Sequence, residues 1–131
     1  NRGYVYMHQD EQEEAIENYT EAVRLDPNHA LAFHNRGYMY AEQGEYEKAI
    51  YDYTEAIRLD PNDASTFTNR GCAYREQGEL GKAIGDFTEA IRLDPNDSLN
   101  LMNRSAIYDQ IGKFEDAEQD RRKAEEINKT A

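Results

Sequence analysis

Tryptophan is absent from this sequence of 131 residues, cysteine occurs once, proline three times, and Lys and Arg together number 15 against 27 Asp and Glu. Each shortage excludes something. The single Cys72 cannot form an intrachain disulfide, so the fold needs no oxidising compartment, and the cytoplasm is the favoured one. As a half-apolar thiol it reads as a small packing residue, although Arg75 one turn away would lower its pKa. The three histidines, His8, His29 and His34, fall at unrelated places, and no CxxC or HExxH spacing exists to hold zinc. No apolar run approaches the roughly eighteen residues of a membrane-spanning helix. The formal charge of −12 opposes the phosphate backbone of nucleic acid and favours a neutral or basic partner. There is no glycine-rich phosphate loop. Acidic residues are plentiful but recur periodically, as in "TEAIRLDPN", which marks a solvated face. No enzymatic activity, metal or cofactor is expected.

What the sequence has in abundance is recurrence. "NRGYVY" opens the chain at Asn1, "NRGYMY" begins at Asn35, "NRGCAY" at Asn69 and "NRSAIY" at Asn103, each 34 residues after the last. A fixed period of this length means a repeating structural unit. Phe33, Gly37 and Tyr40 share one face of a helix, and Tyr46, Ala49, Ile50, Tyr53, Ala56 and Ile57 share a face of a second one after Gly44, so each unit is predicted to be two helices. "LDPN" closes the unit: Pro61 cannot extend the helix behind it, and Asn62 or Asp63 can cap the next. Gly37 and Gly71, with Ala49, Ala56, Ala83 and Ala90, let the paired helices approach closely while rings fill the gaps.

Phe33 and Phe67, Gly37 and Gly71, Tyr40 and Tyr74, Ala49 and Ala83, Tyr53 and Phe87, Ala56 and Ala90, Pro61 and Pro95 are the pattern of the tetratricopeptide repeat, which the chain closely resembles over essentially its whole length. The resemblance implies an all-α, right-handed αα-superhelix, a solenoid of helix-turn-helix pairs whose first helices line a concave groove. It organises residues 1–131 as one repeat domain, with a partial unit over about 1–29 and full units over 30–63, 64–97 and 98–131. Both ends depart from the pattern. The first unit lacks residues before Asn1, so its first helix is expected to be cut short and any targeting sequence would lie upstream; Asp10 also stands where later units have Gly44, Gly78 and Gly112. In the last unit Glu118, Arg121 and Glu125 replace Ile84, Phe87 and Ile91, as expected of a solvent-facing terminal cap.

The resemblance further implies that the groove side of the first helices carries Leu31, Asn35, Tyr38 and Glu42 in the second unit, Ser65, Thr68, Asn69, Cys72, Arg75 and Glu76 in the third, and Leu99, Met102, Asn103, Ala106 and Asp109 in the fourth, with Tyr4, Met7 and His8 in the first. Asn1, Asn35, Asn69 and Asn103 form a ladder. A carboxamide offers a donor and an acceptor to one peptide unit, so such a ladder can hold an extended backbone without reading its sequence; Leu31, Tyr4, Tyr38, Cys72, Leu99 and Met102 would add apolar contact. The expected function is a non-catalytic, scaffold-type protein-interaction module that binds an extended peptide. Its alternative is self-assembly through the open N-terminal unit, where Tyr6, Ile16 and Tyr19 leave apolar surface uncovered. Without a Lys/Arg cluster, and with Glu42, Glu76 and Asp109 nearby, the acidic C-terminal tails of chaperones are not expected as ligands. Arg2, Arg36, Arg70 and Arg104 form a second ladder, for which Asp52, Asp86 and Asp120 are the expected ion-pair partners.

Overall fold

A computed structural model of the protein describes residues 2–130, with side chains from residue 9 onward. Seven helices and no strand occur among them: α1 (Arg2–Leu25), α2 (Ala30–Glu42), α3 (Tyr46–Leu59), α4 (Ala64–Glu76), α5 (Leu80–Leu93), α6 (Ser98–Gln110) and α7 (Phe114–Thr130). The chain packs as two compact units, Asn1–Pro61 and Asn62–Ala131. The first holds α1 and the pair α2/α3; the second holds the pairs α4/α5 and α6/α7.

Every pair turns in the same way, and glycine dictates it. Gly44, Gly78 and Gly112 adopt φ of 75°, 78° and 83°, a left-handed conformation that a Cβ disfavours. In the first turn Gly44 N–H donates to Ala41 O at 3.0 Å and Glu45 N–H to Tyr40 O at 2.9 Å, the doubled closure that satisfies carbonyls at a helix end. The next helix then starts at Tyr46, Leu80 or Phe114. At the other junction, Asp63 and Asp97 accept from the backbone N–H groups of Ser65 and Leu99, each at 3.0 Å, while His29 does the same for Ala32 through Nδ1 at 3.3 Å.

The paired helices lie close because one of them presents a glycine. A Cβ on Gly37 would sit 3.0 Å from Tyr53 Cε1, and one on Gly71 would sit 3.0 Å from Phe87 Cε1. Tyr53 and Phe87 are 1% and 0% exposed, and Ala49, Ala56, Ala83 and Ala90 are buried beside them. In the second unit the core centres on Ala83, Phe87 and Ile107, with Tyr74, Leu80 and Ile84 packed around. The fourth repeat changes both members of the contact: Ser105 stands at the glycine slot and Arg121 at the ring slot.

The first repeat differs from the expected two helices. α1 runs without interruption from Arg2 to Leu25, through the slot where a turn would fall. Asp10 occupies that slot, no non-glycine residue among those described takes a positive φ, and the following Glu11, Gln12, Glu13, Glu14 and Ala15 are good helix formers. In the last helix Glu118 and Glu125 are exposed and Arg121 is half-buried, as their charge requires.

Candidate functional site

The arginines settle into the packing. Arg36 grips Asp52 with Nε at 2.8 Å and Nη2 at 2.7 Å, Arg70 grips Asp86 with both nitrogens at 2.8 Å, and Arg104 grips Asp120 at 2.8 and 2.7 Å. Each is a bidentate clasp between the two helices of a pair, with the carboxylate buried. Aromatic rings flank the guanidiniums: Phe33 and Tyr40 lie 5.7 and 5.9 Å from Arg36, Phe67 and Tyr74 5.8 and 5.6 Å from Arg70. The carboxylate hydrogen bond raises the pKa of each arginine more than burial lowers it, so the charge is secure. These arginines are structural, as the sequence pattern suggested.

The side of the first helices away from these clasps is where the candidate contacts fall. In the first unit, α2 exposes Leu31 (59%) and Tyr38 (45%), with Asn35 half-buried between them and Glu42 exposed. Two clefts flank this helix where it meets α1. One, of about 340 Å³, is lined by Asn18, Tyr19 and Ala22 of α1, His29, and Leu31, Ala32 and Asn35 of α2. The other, of about 370 Å³, is lined by Glu11, Gln12, Tyr38, Met39 and Glu42.

In the second unit, α4 and α6 lie side by side on this face. Thr68 Oγ1 donates to the buried Asn100 Oδ1 at 2.6 Å, and Arg75 Nη1 donates to Asn103 Oδ1 at 3.4 Å. Leu99 (56%) and Met102 (45%) project outward beside Asn103. Asn103 itself is half-buried. Asn69 is half-buried on α4. Ala106 and Asp109 are exposed further along α6, where Asp109 accepts from Arg121 at 2.7 Å.

Cys72 behaves differently from its neighbours on the pattern. It packs against the Ala83, Phe87 and Ile107 core, and burial pushes its thiol up, reinforced by Glu76 and only partly offset by Arg75. The lowering by Arg75 anticipated from the sequence is therefore outweighed. Asn1 and the side chain of Tyr4 lie outside the described residues, as do the side chains of Met7, His8, Tyr6 and Arg2. The Arg75–Asn103 bond was not foreseen; the two residues are 28 positions apart, and only the juxtaposition of α4 and α6 brings them together.

Among the described residues no group of three His, Cys, Asp or Glu is placed to hold a metal ion, and no helix is long and apolar enough to cross a membrane. What the face offers is chemistry for non-covalent contact: carboxamides, half-exposed apolar side chains and a few carboxylates.

Comparison with known proteins agrees with this architecture. A comparison with curated proteins gives no match. Among solved structures, MamA from Desulfovibrio magneticus RS-1 (residues 41 to the end) superposes with a TM-score of 0.86 at 20% identity, covering 98% of this chain and 72% of that one. A MamA RS-1 double mutant gives 0.87 at 20% identity with the same coverage, and a further MamA crystal structure 0.86 at 23% identity, covering 97% of this chain and 74% of that one. At these identities the likeness is one of fold, the αα-solenoid class. The family model described as "TPR repeat" matches residues 3–44 and 37–74, and "Tetratricopeptide repeat" matches residues 64–97. With glycine turns, glycine-on-ring contacts and helix pairs recurring every 34 residues, the chain belongs to the tetratricopeptide repeat family.

Proposed function

We propose that this chain is a non-catalytic interaction module that binds an extended peptide segment of a neutral or basic partner. The family is in general a protein-interaction domain without catalysis of its own, which gives the coarse function. The finer reading rests on one observation: on α4 and α6, Asn69 and Asn103 stand half-buried with the exposed Leu99 and Met102 beside them. Half-burial fixes a carboxamide in place while leaving it reachable, and the apolar pair offers area to the partner's side chains. Asn35 with Leu31 and Tyr38 repeats the arrangement in the first unit. Asn1 and Tyr4 would extend the series, and Cys72 would contribute the side of its half-buried thiol.

Charge selects among peptides. Glu42, Glu76 and Asp109 are carried on the same helices and would repel an acidic tail and its terminal carboxylate, so chaperone C-terminal tails are excluded as ligands in this reading. The test is selection of binders from a random peptide library against the wild-type chain, with counter-selection by a folded Asn69→Ala/Asn103→Ala variant. Peptides enriched by the wild type alone support the reading; enrichment by both proteins equally, or of acidic tails, contradicts it.

A second reading, self-assembly through the N-terminal end, has its own support in α1, where Ala15, Tyr19 and Ala22 remain half-exposed.

A further inference from the structure

The repeat allows the first unit to be compared with pairs whose packing is complete. On α3, Ala49, Tyr53 and Ala56 are buried because α2 lies on them with Gly37 against the ring; on α5, Ala83, Phe87 and Ala90 are buried under α4 with Gly71 against the ring. Ala15, Tyr19 and Ala22 of α1 hold the same slots and are only half-buried. In the second unit α4 also touches the following α6, through the Thr68–Asn100 and Arg75–Asn103 bonds. The place equivalent to α4, against α1 and α2 together, is the open cleft of about 340 Å³ that Asn18, Tyr19, Ala22, Leu31 and Asn35 help to line.

The chain itself contains the sequence that fits such a place. "NRGYVY" at residues 1–6 differs from the "NRGYMY" of α2 at one position, and Gly3 holds the slot of Gly37 and Gly71. Yet α1 is continuous from Arg2 to Leu25, so Gly3 stands roughly 24 Å along the same helix from Tyr19, at about 1.5 Å per residue. A helix cannot cover its own flank. We propose that residues 2–9 of a second copy fill the cleft and that the exchange is reciprocal, two chains trading identical helical arms about a twofold axis. This rests on the self-assembly reading and specifies its contact.

The cleft chemistry supports a copy of this segment over an unrelated one, because the α2/α3 contact already shows an almost identical segment seated on Ala, Tyr and Ala at the same spacing. Asp10 provides the reason for exchange: without a glycine at the turn slot the chain stays helical, and the arm is carried outward.

The contact supplies its own probe. A Cβ on Gly37 would lie 3.1 Å from Asp52 Cβ, and one on Gly71 3.3 Å from Asp86 Cβ, close to the roughly 3.5–4.5 Å of a disulfide. Asn18 is at that slot of α1. In a Cys72→Ser background, Gly3→Cys chains mixed with Asn18→Cys chains and oxidised are expected to give a disulfide-linked heterodimer, and the unmodified chain a concentration-dependent dimer in sedimentation. Asp10→Gly is expected to lower the dimer fraction several-fold by restoring a turn. A dimer in which the Gly3→Cys and Asn18→Cys chains never become linked overturns the exchange while leaving self-assembly standing. A strict monomer overturns both, and a Gly3→Cys/Asn18→Cys double variant that closes its disulfide within one chain overturns the exchange alone. An unchanged dimer fraction in Asp10→Gly counts against the exchange.

Discussion

Gly71 and Ser105 hold the same slot in successive repeats, and their partners explain why they differ. Gly71 meets the Phe87 ring, which is fully buried and has nowhere to retreat. Ser105 faces a repeat in which the ring is replaced by Arg121, whose guanidinium reaches out to Asp109 and Glu118, and its hydroxyl donates to Met102 O at 2.8 Å. Gly71→Ala is therefore expected to lose stability, overpacking of about 1–3 kcal/mol outweighing a helix-propensity gain of about 1 kcal/mol. Ser105→Ala should cost less than Gly71→Ala, because a helix-propensity gain of about 0.5 kcal/mol offsets part of the roughly 1 kcal/mol lost with one hydrogen bond. Urea unfolding of the two variants checks the contrast, and equal effects would contradict it. Burial gives Cys72 a second residue-scale consequence. Because its thiol is pushed up, alkylation by iodoacetamide at neutral pH should be slower in the folded chain than in urea, where the thiolate fraction recovers.

At the scale of elements, helix ends and helix pairs carry separate tests. His29 does at α2 what Asp63 and Asp97 do at α4 and α6, with a longer bond. His29→Asp should stabilise the chain by about 0.5–1 kcal/mol in thermal unfolding, and a loss would show that the imidazole has another role. Within a pair, Asp86→Ala strands the Arg70 guanidinium against Phe67 and Tyr74, so it should cost more than the double variant Asp86→Ala/Arg70→Leu. On α7, hydrogen bonds from Arg121 and then Arg122 hold the Glu118 carboxyl below its ordinary 4.5. A folded pKa below the unfolded one stabilises above the unfolded value and is lost as pH falls through the folded one, so Glu118→Gln should flatten the acid limb of the melting curve slightly. Helix pairs were legible in the sequence because the glycine turn and the small-residue contact each demand a residue type, and that demand recurs. The Arg36, Arg70 and Arg104 clasps were legible for the same reason, a constant spacing of 16 residues to Asp. The continuity of α1 was not: Asp10 was visible as a departure, but whether a helix breaks depends on the balance between turn strain and propensity over the whole segment.

For the whole molecule, the proposed function makes charge and the asparagine-bearing helices the selectors of the ligand. The asparagine slots could be read from the period and the family pattern, whereas the Arg75–Asn103 bond depends on packing that no local spacing encodes. With a net charge of −12, affinity for a basic peptide should fall as ionic strength rises, chiefly through slower association, and affinity for a neutral one should stay nearly constant. The central proposal is that Asn69 and Asn103, both of the second unit, hold the peptide backbone rather than its side chains. It is tested most directly by calorimetry with a library-selected peptide and with versions N-methylated at single backbone amides, which keep every side chain and remove one N–H donor at a time. The account predicts at least tenfold weaker binding for methylation at spaced positions, a loss that disappears in the variant lacking the matching asparagine. Unchanged affinity for every methylated version, with binding still dependent on Leu99 and Met102, would contradict it.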